Sequence, residues 1–198
     1  LPDFCSYTVT EKTSDTYYRL DLAGHQINGR LKRELLKAAD TVYTEKADSM
    51  TKEHYGLIRE YLKKKNMTNL VKELYIAMPE YIKKSDTALL LNARDKEGRL
   101  TAFYVLELAA YEFAAYIVGC HSSKNYIPHA SDILFQEMIN TSLGQGKKYI
   151  NLGLGVNEGI RRFKQKWGGI PYLSYNYCEY RTGSANMTRL IKSLESIM

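Results

Sequence analysis

Few side chains in this sequence stand where chemistry would need them, and the first to weigh is a backbone feature. In the stretch YINLGLGVNEGIRRFKQKWGGIPY, from Tyr149 to Tyr172, a glycine-spaced turn Gly153-Leu154-Gly155 separates an apolar run from a charged one. Glycines at that spacing between a strand and a helix are what a phosphate cradle uses. A dinucleotide fingerprint needs its third glycine three positions after the second, but the next here is Gly159, one residue late. No parallel βαβ unit follows the turn, and no Gly-Lys-Ser/Thr follows it either. The turn is therefore read as a strand-to-helix bend serving some other chemistry.

The side-chain candidates lie on both sides of that bend. His129, in Pro128-His-Ala-Ser-Asp132, titrates near neutral pH and suits a proton acceptor or a substrate contact. Glu107 and Glu112 sit in apolar strand-like runs, where a buried carboxylate has a raised pKa and can act as a base, the alternative for Glu107 being a side chain that simply faces solvent. Alternation puts Glu107 on the face of Val105 and Ala109. Asn151, just before the bend, is placed to orient a substrate carbonyl. Ser131 and Asp132 are expected to cap the helix they open, where an anion could also dock. Asn157 is the expected cap of the next helix and Glu158 its dipole partner. Phe163 and Trp167, four apart on that helix, read as core contacts. From residue type alone, Lys164 and Arg161 in R-R-F-K-Q-K read as a solvated basic face. Tyr175 and Tyr177 are hydroxyl donors that nothing distinguishes among 17 tyrosines.

Composition narrows the classes. A chain of 198 residues can bury about 70% of its unfolded surface, so it needs neither disulfide nor metal for a core. The most apolar run, LTAFYVLELAAYEFAAYIVGC, carries Glu107 and Glu112 and reads as two buried strands rather than a membrane helix. The three cysteines, Cys5, Cys120 and Cys178, form no C-x-x-C pair, which argues against a metal ribbon and a disulfide framework and suits a reducing, cytoplasmic setting. No bound metal is expected. The net charge of +6 favours anionic partners, or is simply a basic solvated surface. The opening LPDF, neither an initiator Met nor a basic signal, reads as the start of a processed or shortened chain.

These candidates must be held by elements that the apolar spacing predicts. Tyr17–Leu22 is a short strand; Arg30–Asp40 is a basic helix with Leu31, Leu35 and Leu36 at helical spacing; TVYTEKA is a strand. Met50–Lys65 is an amphipathic helix with Tyr55, Ile58 and Leu62 on one stripe. Leu70–Met78 is a further helix, ending near Pro79. Thr87–Asp95, a turn with Gly98, LTAFYVLEL and YEFAAYIVGC form three consecutive antiparallel strands. A helix from near Ser131 buries Ile133, Leu134, Met138, Ile139 and Leu143 and stops at Gly144 or Gly146. KKYINLG is a strand, NEGIRRFKQKWG a helix, IPYLSYNYCEYR a last strand or hairpin, and Thr188–Met198 a terminal helix. The result is an α+β (mixed α/β) domain over the whole chain, with a central, mostly antiparallel sheet flanked by helices and a helical part at 23–84 packed on it.

A strand ending in N-L-G, a loop, G-I-R-R-F-K-Q-K-W-G-G and a closing strand resemble the C-terminal half of GNAT-fold acyltransferases. The branch they most resemble is the FemAB-like group, which includes aminoacyltransferases of peptidoglycan interpeptide bridges and related acetyltransferases. Arg162, Phe163, Lys164, Trp167 and Gly168 stand in that group's R-F-K-x-x-F/W-G motif, and Pro128–Asp132 also looks like it. The resemblance is strongest over 87–180. It implies an N-acyltransferase that moves an acyl or aminoacyl group from acyl-CoA or aminoacyl-tRNA to an amine on a small molecule, a peptide or a cell-wall precursor. It also puts the Phe163–Lys164 pair at the reaction centre, with Lys164 stabilising developing charge and His129 or Glu107 accepting a proton. Donor contacts are expected from Ser122, Ser123, Lys124, Ser131, Asn151, Arg162 and Phe163. Where such enzymes carry a glycine-rich pyrophosphate loop, this chain has His121-Ser-Ser-Lys124, a departure that fits the tRNA-using side or a CoA site built differently. The rival reading is a non-catalytic nucleic-acid-binding or interaction domain on the same fold. It rests on the net charge, the basic helix, Lys63–Lys65 and the tyrosines.

Overall fold

The computed structural model describes residues 7–64, 69–182, 191 and 195. Seven strands are interleaved with five helices: β1 (Tyr7–Asp21), α1 (Gly29–Ala39), β2 (Val42–Ala47), α2 (Lys52–Lys64), α3 (Asn69–Lys84), β3 (Ala88–Asp95), β4 (Leu100–Glu107), β5 (Phe113–His121), α4 (Ala130–Gly144), β6 (Tyr149–Leu154), α5 (Glu158–Lys166) and β7 (Ile170–Thr182). They form one sheet in the order β2-β3-β4-β5-β6-β1-β7. Every neighbouring pair is antiparallel except β5 and β6, whose parallel pairing is made possible by the α4 crossover.

Two cores follow from alternation along the central strands. β4 is buried on both faces, sending Ala102, Tyr104 and Leu106 to one side and Phe103 and Val105 to the other. The first side packs Leu31 and Leu35 of α1, Leu134, Phe135, Met138 and Ile139 of α4, and Trp167 at the end of α5. The second packs Leu57 and Ile58 of α2 with Tyr75, Met78 and Ile82 of α3. The α2 stripe is rotated from the one expected, because Tyr55 is exposed while His54 and Leu57 are buried. In α4, Leu143 is exposed and Asp132 takes a buried place in the first turn.

Two element lengths differ from the sequence expectation. β1 runs ten residues further toward the N-terminus than Tyr17, because β7 supplies a ladder from Tyr7↔Thr182 to Arg19↔Ile170. α3 passes through Pro79 to Lys84. A proline inside a helix costs roughly 3 kcal/mol. Burying Ile82 one turn beyond it returns about 1.5–3 kcal/mol, and the Tyr81 hydroxyl adds a bond to Glu107. The helix expected over 188–198 lies outside the described residues except for 191 and 195. No described helix is long and apolar enough to cross a membrane.

A polar group pins α2 to the sheet. His54, fully buried, accepts from the Thr51 amide at Nδ1 (3.0 Å), so its Nε2–H donates to Asn92 Oδ1 (2.8 Å). Asn92 donates on to Glu45, which with Glu53 also holds Arg94. Burial lowers the His54 pKa below its usual 6.5, so the unfolded chain takes up this proton first. We expect stability to be full above pH 6.5 and to fall as acid is added below it. Urea unfolding from pH 7.5 to 5 should show this slope, and His54→Gln should flatten it.

Candidate active site

The ladder between β5 and β6 is short. It comprises Phe113↔Tyr149, Ala114↔Ile150 and Ala115↔Asn151, after which β5 runs on to His121 and β6 to Leu154 without pairing to each other. Past Ala115, the β6-facing edge of β5 has no strand beside it among the described residues. That edge can pair with an extended ligand.

A cleft of about 350 Å³ opens where β5 ends, walled by the start of α4 and one side of α5. His121, Ser122, Tyr126, His129, Ser131 and Phe163 are among its lining residues. His129 sits at the start of α4 with φ 65°, a left-handed conformation uncommon outside glycine, and gives the helix no side-chain cap. Its Nδ1 instead lies 3.0 Å from Asp132 Oδ2. Asp132 is buried, and its other oxygen accepts from Trp167 Nε1 (3.1 Å) and the Lys166 ammonium (2.5 Å). A carboxylate oxygen accepts at this position, so Nδ1 of His129 carries the hydrogen and Nε2 is the accepting nitrogen. A base oriented by a fixed carboxylate is the working arrangement of proton-accepting histidines.

The other flank of α5 carries Lys164. This side chain is buried, and its Nζ donates to the carbonyls of Gly153 (3.2 Å) and Leu154 (2.6 Å) at the end of β6. Burial brings its pKa down to about 8, opposed by the charge of Asp15. Gly153 has φ +73°, which turns these carbonyls toward the helix. Asn157 caps α5 by accepting from Ile160 N (3.0 Å), as its sequence position suggested.

The other sequence candidates scatter. Ser131 lines the cleft but is no cap; its carbonyl accepts from Tyr104 Oη. Ser123 is bonded to Glu60 by both its amide and its hydroxyl. The Lys124 amide donates to Ser122 Oγ, and the Lys124 side chain is not in the cleft wall. Asn151 Oδ1 accepts from Gly153 N at 2.9 Å, so it shapes its own strand end. Arg162 is exposed and paired with Glu158. Phe163 meets Phe135 edge-on and faces the cleft.

Glu107 does not behave as the raised-pKa base that its apolar strand suggested. Burial pushes its carboxyl up, but hydrogen bonds from Thr87, Tyr81 and the Ala109 and Leu108 amides outweigh that and hold it below the usual carboxylate range. It tethers α3 and is absent from the cleft wall. Asp132, read in sequence as a cap, Asp15, which carries no motif, and Glu34 are among the carboxylates in this region. Among the described residues, no group of three or more His, Cys, Asp or Glu side chains is arranged to hold a metal ion.

The sequence matches no family model and no curated protein. Solved structures do match. L-PGS from Bacillus licheniformis superposes with a TM-score of 0.63 at 15% identity, over 94% of this chain and 66% of its own. The C-terminal DUF2156 domain of a proposed lysylphosphatidylglycerol synthetase from Agrobacterium fabrum gives 0.58 at 15%, over 98% and 66%. A tandem GNAT protein of the clavulanic acid biosynthesis pathway gives 0.55 at 14%, over 91% and 56%. This is the GNAT acyltransferase fold. The chain spans about two thirds or less of the length of these three chains.

Within this GNAT fold, Asp132 joins α4 to α5 across the cleft. Replacing it with Ala strands the buried Trp167 N–H. We expect a loss of about 1–3 kcal/mol in urea unfolding.

Proposed function

We propose that the chain is an N-acyltransferase that moves an aminoacyl group from an aminoacyl-tRNA to a substrate amine. The observation that carries this reading is the β5/β6 divergence beside a cleft holding the His129–Asp132 pair. The donor lies along the open edge of β5, whose backbone N–H groups meet the carbonyl oxygen as it becomes anionic. The amine attacks the ester carbonyl carbon, a C–N bond forms, and the C–O bond to the ribose breaks. His129 Nε2 takes the proton from the attacking nitrogen and returns it to the departing oxygen. Lys164, mostly protonated at pH 7, holds the end of β6 and adds positive charge there.

The cleft wall favours an aminoacyl ester over acyl-CoA. A pyrophosphate needs unoccupied amides, but here the Ser123 amide donates to Glu60, the Lys124 and Asn125 amides to Ser122 Oγ, and the Asp132 and Ile133 amides to the His129 carbonyl. Carboxylates border the site, with Asp132 in its wall and Glu34 3.9 Å from His129 Nδ1. Each is already paired with a cation, Asp132 with Lys166 and Glu34 with Arg30, so the occupied amides carry the distinction. The name of one structural neighbour also joins a lysyl group to a lipid. The FemAB-like motif residues from Arg162 to Gly168 agree with this class.

The test is release of free tRNA from a mixed aminoacyl-tRNA pool when amine acceptors are added, run beside acetyl-CoA. His129→Gln should lower kcat by about 10²–10⁴, and the rate should decline as pH rises through about 8, where Lys164 loses its proton. Bound CoA at 100 times its Kd would raise the melting midpoint by roughly 2–4 °C, and none is expected. A CoA shift with acetyl transfer would overturn the tRNA donor but keep the acyltransferase. Absence of product from either donor would leave an interaction domain.

A further inference from the structure

The bend that joins β6 to α5 is held from outside by one carboxylate on β1. Asp15, with a side chain only 12% exposed, accepts from Val156 N through Oδ2 (2.7 Å) and from Thr16 N through Oδ1 (2.7 Å). Arg161 of α5 approaches Oδ1 at 3.5 Å, and the Thr16 carbonyl accepts from Gly155 N at 3.0 Å. Residues 15 and 16 thus grip 155 and 156 by side chain and by backbone.

The gripped conformation is one that the local sequence would not choose. Val156 has φ 58°, in the left-handed region where a β-branched residue is strained, and its side chain is exposed, so no packing gain explains it. At Gly155 a Cβ would come within 2.8 Å of both Asp15 Oδ1 and Arg161 Nε, so only glycine lets the carboxylate this close. Burial pushes the Asp15 carboxyl up, but the two amides and Arg161 outweigh it, so it is held ionised below the usual range.

We infer that Asp15 is a positioning residue that holds the β6–α5 bend in its strained form and so places the Lys164 ammonium against the Gly153 and Leu154 carbonyls. Arg161 and Lys164 lie three apart on the same side of α5, so the grip on the first is transmitted to the second within one helical turn. Neutralising Asp15 removes a nearby negative charge from Lys164. The other groups facing that ammonium are the Tyr18 ring of β1 (5.7 Å), the two β6 carbonyls and, through Asp15, Arg161. The catalytic consequence rests on the acyltransferase reading; the structural one does not.

The experiment follows Lys164 directly. Its rate of acetylation by acetic anhydride is read by mass spectrometry across pH 6 to 11, in the intact chain and in Asp15→Asn, with exposed lysines such as Lys148 as internal reference. We expect the Lys164 midpoint near 8 to move lower in Asp15→Asn, while the reference lysines stay put. Val156→Gly, which relieves the left-handed strain, should recover part of the unfolding midpoint that Asp15→Asn loses. A Lys164 midpoint that does not move, or strictly additive effects of the two substitutions, overturns the inference. If transfer is measurable, Asp15→Asn should lower kcat with KM little changed. Should the chain transfer nothing, the acyltransferase reading fails, and the labelling still decides the role of Asp15.

Discussion

The departure of β5 from β6 after three paired positions is the constraint on which the rest of the site depends. It occurs at the sheet's one parallel neighbour pair, and a parallel pair requires a crossover. Here the crossover is the 122–129 loop and α4, so the element that makes the pairing possible also lines the cleft at the end of β5. His129 and Asp132 are at the first turn of that crossover, and α5, which follows β6, closes the opposite wall. One topological event thus generates an open strand edge, a cleft and an oriented histidine together.

Three charged groups near this gap each take a partner from another element. Asp132 of α4 takes Trp167 and Lys166 from α5; Lys164 of α5 gives its protons to β6; Asp15 of β1 takes Val156 from the bend. A buried charge without such partners would cost several kcal/mol. These bonds therefore act as tethers between helices and strands, and they fix where α5 can sit. His54 and Asn92 do the same for α2 on the opposite face.

Much of this architecture is legible in the chain. The meander from Ala88 to His121 follows from apolar runs around Gly98, and α1, α5 and the Asn157 cap follow from spacing and cap chemistry. The bend at Gly153-Leu154-Gly155 is correctly a strand-to-helix turn. Three readings fail for one shared reason, that local preference yields to packing. Pro79 does not end α3 because Ile82 and Tyr81 beyond it find partners on the sheet; Asp132 is drawn inward to Trp167 instead of capping; and Glu107 is bonded and ionised instead of being an elevated base.

The site divides in the same way. His129, Ser122, Ser131 and Phe163 are brought to one cleft; residue type made His129 and Ser131 candidates, and the family resemblance made Ser122 and Phe163 candidates. Lys164 could be singled out in sequence only by its motif, since a lysine in a basic helix ordinarily faces water; its burial depends on where α5 meets β6. The pairing of His129 with Asp132 spans only three residues, yet it needs the left-handed turn at His129 and the pull of Trp167, 35 residues away, to form. Asp15 and Val156 are 141 residues apart and carry no motif at all. The sequence by itself determined the strands, the helices and the chemical groups available, because propensity and periodicity act over a few residues. Only the tertiary structure decided which of those groups meet, because a buried carboxylate or ammonium takes its position from partners that the chain brings from far away.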